Sequence, residues 1–306
     1  MISEIITGDA LEQLKKLPDC SVDCCVTSPP YYGLRDYGVE GQIGLEGTPE
    51  AYIDRLVQVF REVYRVLKQD GTLWIVIADS YAGTGKTTAQ GGYKPKDLIG
   101  IPWMLAFALR ADEWYLRQDI IWQKPNCMPE SVRDRCTKSH EYIFLLSKQP
   151  KYYFDAEAIS EPVADSSIKR WAQDIAAQKG SDRQPGKSNG NMKACLPRYG
   201  GRKYTATPDV FCRTKSGGMY DYRPRRNKRD VWNVSTAAFK GAHFATFPEK
   251  LIEPCILAGC RPRGTVLDPF LGSGTVAAVA TKHGRGFIGI ELNPEYAKKA
   301  RERVGL

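Results

Sequence analysis

Apolar residues along the chain fall into two patterns that alternate. Short apolar runs at residues 2–6, Val22–Val26, Leu73–Ala78, Tyr115–Trp122, Glu141–Leu146, Thr265–Leu267 and Gly286–Ile290 read as strands. Several are apolar at consecutive positions, the mark of a strand covered on both faces. Elsewhere apolar residues recur every three or four positions, the spacing of an amphipathic helix. From Pro49 to Leu67 that set is Tyr52, Leu56, Val59, Val63 and Val66, and Gly71 is read as closing the unit. Further helices are read at Ala10–Leu17, Pro102–Leu109, Pro248–Leu257, Thr275–His283 and Pro294–Val304. Pro102 suits a first helical position, where a missing N–H costs nothing. Strand and helix in alternation predict an α/β protein built on a doubly wound, mostly parallel sheet.

One stretch breaks the rhythm. Residues 160–230 are rich in Gly, Ser, Pro, Gln, Lys and Arg, with little apolar periodicity. Charge separates the same stretch from the rest. The chain has 306 residues and a net charge of +9. Residues 165–230 hold 16 Lys and Arg against 6 Asp and Glu, a local net of +10, so the remainder is at −1. A basic block inside a near-neutral fold is the electrostatic footprint of a polyanion, because neutralised phosphates release counterions. A solvated basic loop is the plainer reading of the same composition.

Composition excludes several classes. At 42% apolar and 26% charged, the chain can bury a sizeable core. No run approaches the roughly 18 apolar residues of a membrane span. The first residues, MISEIITGDALEQL, lack the layout of a secretory signal. Nine scattered cysteines suit a reducing cytoplasm. Without a CxxC pair, and with His140, His243 and His283 as the only histidines, no zinc site is expected; Cys195 and Cys212 are the nearest to a candidate pair.

Two motifs carry chemistry. In VLDPFLGSGTVAAVA (266–280) a strand ends at Asp268, a loop holds Gly272 and Gly274, and a small-residue helix begins. Glycines let a ligand approach the backbone, and the helix start offers free N–H groups. After the next strand, Glu291 stands where an acid accepts both hydroxyls of an adenosine ribose. A third glycine is missing, and Asp268 would repel a pyrophosphate. The same carboxylate suits the amino and sulfonium cations of S-adenosyl-L-methionine. The second motif, TSPPYYGLRDYG (27–38), follows the buried Val22–Val26 strand. Its chemistry suits methylation of an exocyclic base amine, whose lone pair is delocalised into the ring. Acceptors at the Ser28 hydroxyl and the Pro29 carbonyl would draw that nitrogen towards a tetrahedral, nucleophilic form. Two prolines preset the geometry, and Tyr31 is placed to stack on the base.

Together, TSPPY and DPFLGSGT resemble the amino-group DNA methyltransferases, which act on N4 of cytosine or N6 of adenine. The resemblance spans nearly the whole chain outside the basic insertion. The catalytic motif precedes the cofactor motif, which is similar to the family's β order, a circular permutation of the Rossmann-like methyltransferase fold. GDALEQLKKLPDCSVD (8–23) and HFATFPEKLIEPCILAGC (243–260) resemble two further family elements. The resemblance implies a catalytic pocket of Ser28, Pro29, Pro30 and Tyr31. It implies a cofactor site of Asp9, Thr27, Phe247, Asp268, Phe270, Gly272, Gly274, Glu291 and Asn293 for S-adenosyl-L-methionine. It divides the chain into a catalytic part (1–154), an inserted target-recognition region (155–235) and a cofactor-binding part (236–306). Double-stranded DNA with an extruded base is the implied partner. The resemblance leaves open a cognate restriction endonuclease and a monomer or dimer. In the family it resembles, Ser at the first motif position goes mostly with cytosine N4, so the resemblance implies cytosine N4, with adenine N6 as the alternative, since hydroxyl and carboxylate both accept an amino hydrogen.

Within the insertion, cations interleave with aromatics, and Arg198, Arg202, Lys203, Arg223, Arg225, Arg226, Lys228 and Arg229 are the expected DNA contacts. GTGKTT (83–88) is no P-loop, because Ser80 stands where the first glycine belongs; Lys86 remains a candidate phosphate contact. Cys24, Cys25 and the Pro254-Cys255 pair read as packing, with Leu251, Cys255 and Leu257 facing a core. His140 and His243 read as structural. Two other classes fit parts of the pattern: a nicotinamide-dependent oxidoreductase on the GxG loop, and a DNA-binding module without activity.

Overall fold

The computed structural model describes residues 2–34, 36, 38–83, 92–166, 212–213, 219–220, 225–236 and 247–306. The expected contacts Lys86, Arg198, Arg202, Lys203 and Arg223, together with His243 and Cys195, lie outside the described residues. The first half of the chain forms β1 (Ser3–Thr7), α1 (Ala10–Leu14), β2 (Val22–Thr27), α2 (Pro49–Val66), β3 (Leu67–Ile77), α3 (Ile101–Ala111), β4 (Tyr115–Gln123) and β5 (His140–Ser147). Four two-residue strands follow: β6 (Glu161–Pro162), β7 (Cys212–Arg213), β8 (Met219–Tyr220) and β9 (Arg225–Arg226). The last part holds β10 (Val231–Asn233), α4 (Glu249–Gly259), β11 (Thr265–Asp268), α5 (Thr275–Lys282), β12 (Gly286–Glu291) and α6 (Pro294–Val304).

Chain contacts define two compact units, Met1–Ile159 with Arg229–Leu306, and Ser160–Lys228. The first is built on an eight-stranded sheet in the order β1-β12-β11-β2-β3-β5-β4-β10. Neighbours from β1 to β3 run parallel, as do β4 and β10. β5 runs antiparallel to both β3 and β4. The sheet is therefore mostly parallel but mixed, and the exception has a consequence. Reversal of β5 brings its first residues, His140 and Glu141, to the edge where β2, β3 and β11 end. In the second unit, β6 pairs with β9 and β7 with β8, both antiparallel.

The consecutive apolar positions have a simple cause, since both sheet faces are covered. Along β3, Leu73, Ile75 and Ile77 join one core cluster with α1, α2 and α3. The alternate residues Trp74 and Val76 join the other, with α4, α5 and α6. Cys24 and Cys25 split in the same way along β2, and both are fully buried. Burying one large aliphatic side chain at such a site is worth roughly 1.5–3 kcal/mol. Helix starts follow local signals. Thr48 caps α2 by accepting from the Ala51 N–H at 3.2 Å, with Pro49 as the first helical residue.

Several features differ from the sequence reading. α1 stops at Leu14, because Leu17 precedes Pro18, and a residue before proline disfavours the helical conformation. β3 starts at Leu67 directly after α2, with a register shift opposite Val22 and Cys24 that absorbs Lys68–Gly71. The shift lets the Lys68 ammonium donate to the Asp23 carboxylate at 2.8 Å. Val231–Asn233, expected within the insertion, instead extends the main sheet beside β4, with Trp232 buried. In α4 the core face is Leu251, Ile252, Cys255 and Ile256, with Leu257 partly exposed. No described helix is long and apolar enough to cross a membrane.

Candidate active site

β2 and β11 are adjacent parallel strands, and a cleft opens beyond their carboxyl ends, the usual site location in an open α/β sheet. Ser28, Pro29, Pro30 and Tyr31 form one part of its wall. Phe270, Gly272, Glu291, Asn293, Asp9 and Phe247 form another. Ten of the residues expected at the site thus share one cleft. All lie in the first unit.

The loop after β2 is braced from a distance. The hydroxyl of Tyr52, buried in α2, donates to the Pro30 carbonyl at 2.8 Å. The Tyr31 hydroxyl donates to the Glu141 carboxylate on β5 at 2.9 Å, and the Ser28 hydroxyl lies 3.4 Å from the Tyr31 oxygen. Burial, reinforced by the Glu141 charge, pushes the Tyr31 phenol well above its ordinary range, so it stays protonated. Lys124 pairs with the other Glu141 oxygen, and its ammonium sits 4.3 Å from the Trp122 ring centre. The segment after Tyr31 folds back, with the Gly33 N–H donating to the Gly44 carbonyl at 2.8 Å. It adds Leu34, Val39, Gly41, Gln42 and Ile43 to the wall. Arg55 of α2 holds it by donating to the Gln42 carbonyl and the Glu46 carboxylate, both at 3.1 Å.

The loop after β11 is held by its own neighbours. Gly272 donates its N–H to one Glu291 oxygen at 2.7 Å, and Asn293 donates to the other at 2.8 Å. Burial raises the Glu291 carboxyl. Each oxygen keeps a lone pair for a further donor. Gly272 has φ +54°, and an added Cβ would meet nothing within 4 Å. Asp9 and Asn293 sit at helix starts, accepting from the Glu12 N–H at 3.0 Å and the Glu295 N–H at 2.9 Å. The acceptor pair on Glu291 and the open cradle at Gly272 fit an adenosine group.

Three expected cofactor contacts stand behind the wall. Asp268 is 1% exposed and does not line the cleft; it accepts from the Thr27 hydroxyl at 2.7 Å and the Phe270 N–H at 3.0 Å. Burial raises its carboxyl to about 7 despite those donors. Thr27 is fully buried, so its role is to hold Asp268. Gly274 has φ +80°, and a Cβ there would lie 3.0 Å from the Ala300 Cβ. It lets α5 pack on α6.

Glu141, Tyr52, Arg55 and Gln42 escaped the sequence reading. Tyr52 was legible only as one apolar position of a helix. Glu141 carried a faint signal, as an acid opening an otherwise apolar strand. Other readings hold: Cys24, Cys25 and Cys255 are buried, and His140 packs edge-on against Tyr142 at 5.3 Å. Among the described residues no cluster of His, Cys, Asp and Glu could hold a metal. Of the basic run, Arg225 donates to the Ser160 hydroxyl at 2.7 Å, and Arg226 and Lys228 pair with Glu161 at 3.5 and 3.2 Å. The Arg229 carbonyl accepts from the Trp232 indole at 2.7 Å, which ties that residue to the main sheet.

An open sheet whose cleft joins a proline-braced polar loop to an acid-bearing glycine loop defines a Rossmann-like group-transfer enzyme. Residues 22–302 match the N6/N4 methyltransferase family model, described as DNA methylase. The type II methyltransferase M.SmaI of Serratia marcescens is 45% identical, over 98% of this chain and 90% of that protein. M.Cfr9I of Citrobacter freundii is also 45% identical, over 98% and 87%. The fold is shared with the PvuII DNA methyltransferase, described as cytosine-N4-specific, at TM-score 0.64 and 19% identity over 99% and 86% of the two chains. It is shared too with the M1.HpyAVI–SAM complex, at TM-score 0.56 and 18% identity over the full length of both. The chain belongs to the DNA methylase family and is an S-adenosyl-L-methionine-dependent DNA methyltransferase of exocyclic amines. The nicotinamide reading falls with that membership.

Proposed function

We propose that the protein methylates N4 of a cytosine extruded from double-stranded DNA, as the modification enzyme of a type II restriction–modification system in the cytoplasm. The observation that carries the cytosine assignment is Ser28 at the head of the proline loop, lining the cleft beside Tyr31. Support comes from type II relatives at 45% identity and from the shared fold of a methyltransferase described as cytosine-N4-specific.

Bound in the cleft, S-adenosyl-L-methionine supplies an electrophilic methyl group. Glu291 would accept its ribose hydroxyls, with Gly272 giving the backbone room and Asp9, Phe247, Phe270 and Asn293 closing around it. The Pro30 carbonyl is occupied by Tyr52, so the Ser28 oxygen and the Pro29 carbonyl are assigned to the two hydrogens of the target amine. Accepting both favours the tetrahedral nitrogen that develops in the transition state. Tyr31 presents its ring to the extruded base. The basic insertion is assigned to target recognition, and the cognate endonuclease would cut the same sequence when unmodified.

Mass spectrometry of nucleosides from mixed-sequence DNA treated with the enzyme tests the assignment. N4-methylcytosine is expected, and N6-methyladenine alone would overturn the choice of base. The insertion has its own test. Replacing Arg225 and Arg226 with Ala should flatten the salt dependence of DNA binding by up to ~0.9 log unit per lost phosphate contact. An unchanged slope would remove both from the backbone contacts.

A further inference from the structure

Ser28, Tyr31 and Glu141 form a chain of hydroxyls that ends on a carboxylate. From the cleft inward, the Ser28 hydroxyl lies 3.4 Å from the Tyr31 oxygen, and the Tyr31 hydroxyl donates to Glu141 at 2.9 Å. An ionised carboxylate accepts and never donates, whereas each hydroxyl can do both. The direction of the whole chain is therefore set at its inner end. Glu141 accepts a hydrogen bond from the Tyr31 hydroxyl, so the Tyr31 oxygen is free to accept one from the Ser28 hydroxyl, and the Ser28 lone pairs are left for the cleft.

We propose that Glu141 is a positioning residue for methyl transfer: paired with Lys124, it fixes the polarity of the Ser28–Tyr31 chain so that Ser28 can only accept from the target amine. This rests on the catalytic reading of Ser28. A reversed chain would aim the Ser28 proton at the amine and hold it away as a competing donor. The surroundings fit the role. Lys124 pairs with the second carboxylate oxygen, and both side chains are less than one-fifth exposed, which keeps the pair out of bulk water. Trp122, below the ammonium, and the backbone bond from the Lys124 N–H to the Ser139 carbonyl at 2.8 Å fix the lysine in turn.

Glu141→Gln is the decisive variant, because it keeps shape and volume but offers an amide that both donates and accepts. Single-turnover methylation by E141Q should fall about 10- to 100-fold, the worth of one misdirected polar contact. DNA KM and the cofactor dissociation constant by calorimetry should stay near wild type, while the melting temperature should fall, because the buried Lys124 ammonium loses its counter-charge. Tyr31→Phe cuts the chain, so E141Q added to Y31F should cost less than about 2-fold more. Additive losses in that cycle would overturn the proposal, as would a rise in DNA KM or in the cofactor dissociation constant that accounts for the lost rate. A readout without substrate separates this from the catalytic assignment. With 13C label at the tyrosine ring carbon bearing the hydroxyl, and Y31F to assign the signal, the Tyr31 resonance should shift in E141Q. An unmoved resonance overturns the chain's polarity, whatever base the enzyme methylates. Modification of adenine in place of cytosine would end the N4 assignment and leave these outcomes readable.

Discussion

Two loops meet in the cleft, each at the end of a parallel strand, and they are held in opposite ways. The glycine loop after β11 is fixed by its close surroundings: Asp268 takes the Phe270 N–H two residues on, and the Gly274 N–H donates to the Leu271 carbonyl at 3.0 Å. Its ties from Gly272 to Glu291 and from Leu271 to the Ile290 carbonyl stay within one strand–helix–strand unit, and only Thr27 of the adjacent strand and Arg303 of α6, which donates to the Ser273 carbonyl at 3.3 Å, reach it from further off. The proline loop after β2 is fixed by remote side chains, Tyr52 from α2 and Glu141 from the reversed strand β5. On the proposed reading, the cofactor loop carries most of its frame within a local motif. A site that must orient a base amine has polar atoms that local backbone cannot saturate, and it draws partners from across the fold.

The contrast can be broken by experiment. The largest effect belongs to the remote-held loop. Tyr31→Ala should lower methyl transfer roughly 100-fold, removing a base–aromatic stack, while calorimetric cofactor affinity changes little. Equal loss of both would mean that the two loops act as one. Next comes a matched pair in the other loop. Gly274→Ala should cost roughly 1–3 kcal/mol of unfolding free energy, because it meets Ala300 and forces a left-handed backbone. Gly272→Ala should cost about 1 kcal/mol of backbone strain and instead weaken cofactor binding. Reversed outcomes in denaturant and calorimetry would exchange the roles assigned to the two glycines.

A separate effect is a pH dependence seated at Asp268. Its carboxyl is raised to about 7 in the folded chain, against about 3.9 unfolded, so the folded state holds the proton more tightly. Its stabilising contribution is full below about 3.9 and lost as pH rises to about 7. Asp268→Asn keeps the oxygen that accepts from Thr27 and Phe270 and should flatten stability across that window. Cofactor affinity of the wild type should rise as Asp268 ionises, since a carboxylate attracts the cationic ligand. A wild-type profile identical to that of D268N would exclude Asp268 from both effects.

Much of this was legible along the chain because local physics decides it. The helix starting at Pro49, the strand Gly286–Glu291 and the helix Pro294–Val304 follow from capping residues, proline positions and apolar spacing. The two motifs are contiguous, so their residues arrive together whatever the rest of the chain does. Val231–Asn233 was hidden, because three residues carry no period and belong to the sheet only through β4. Gly274 and Asp268 were assigned to the ligand when packing and burial turn them inward.

By itself, then, the sequence determined an α/β chain with a proline loop, a glycine loop and a separate basic segment, since composition, periodicity and contiguous motifs are properties of neighbours. Only the tertiary structure decided that β5 runs backwards, which sets Glu141 and Lys124 behind Tyr31. It also decided that Thr27 serves Asp268 across 241 positions of chain. Hydrogen bonds act over about 3 Å, and no spacing along the sequence reveals which distant groups folding will bring within it.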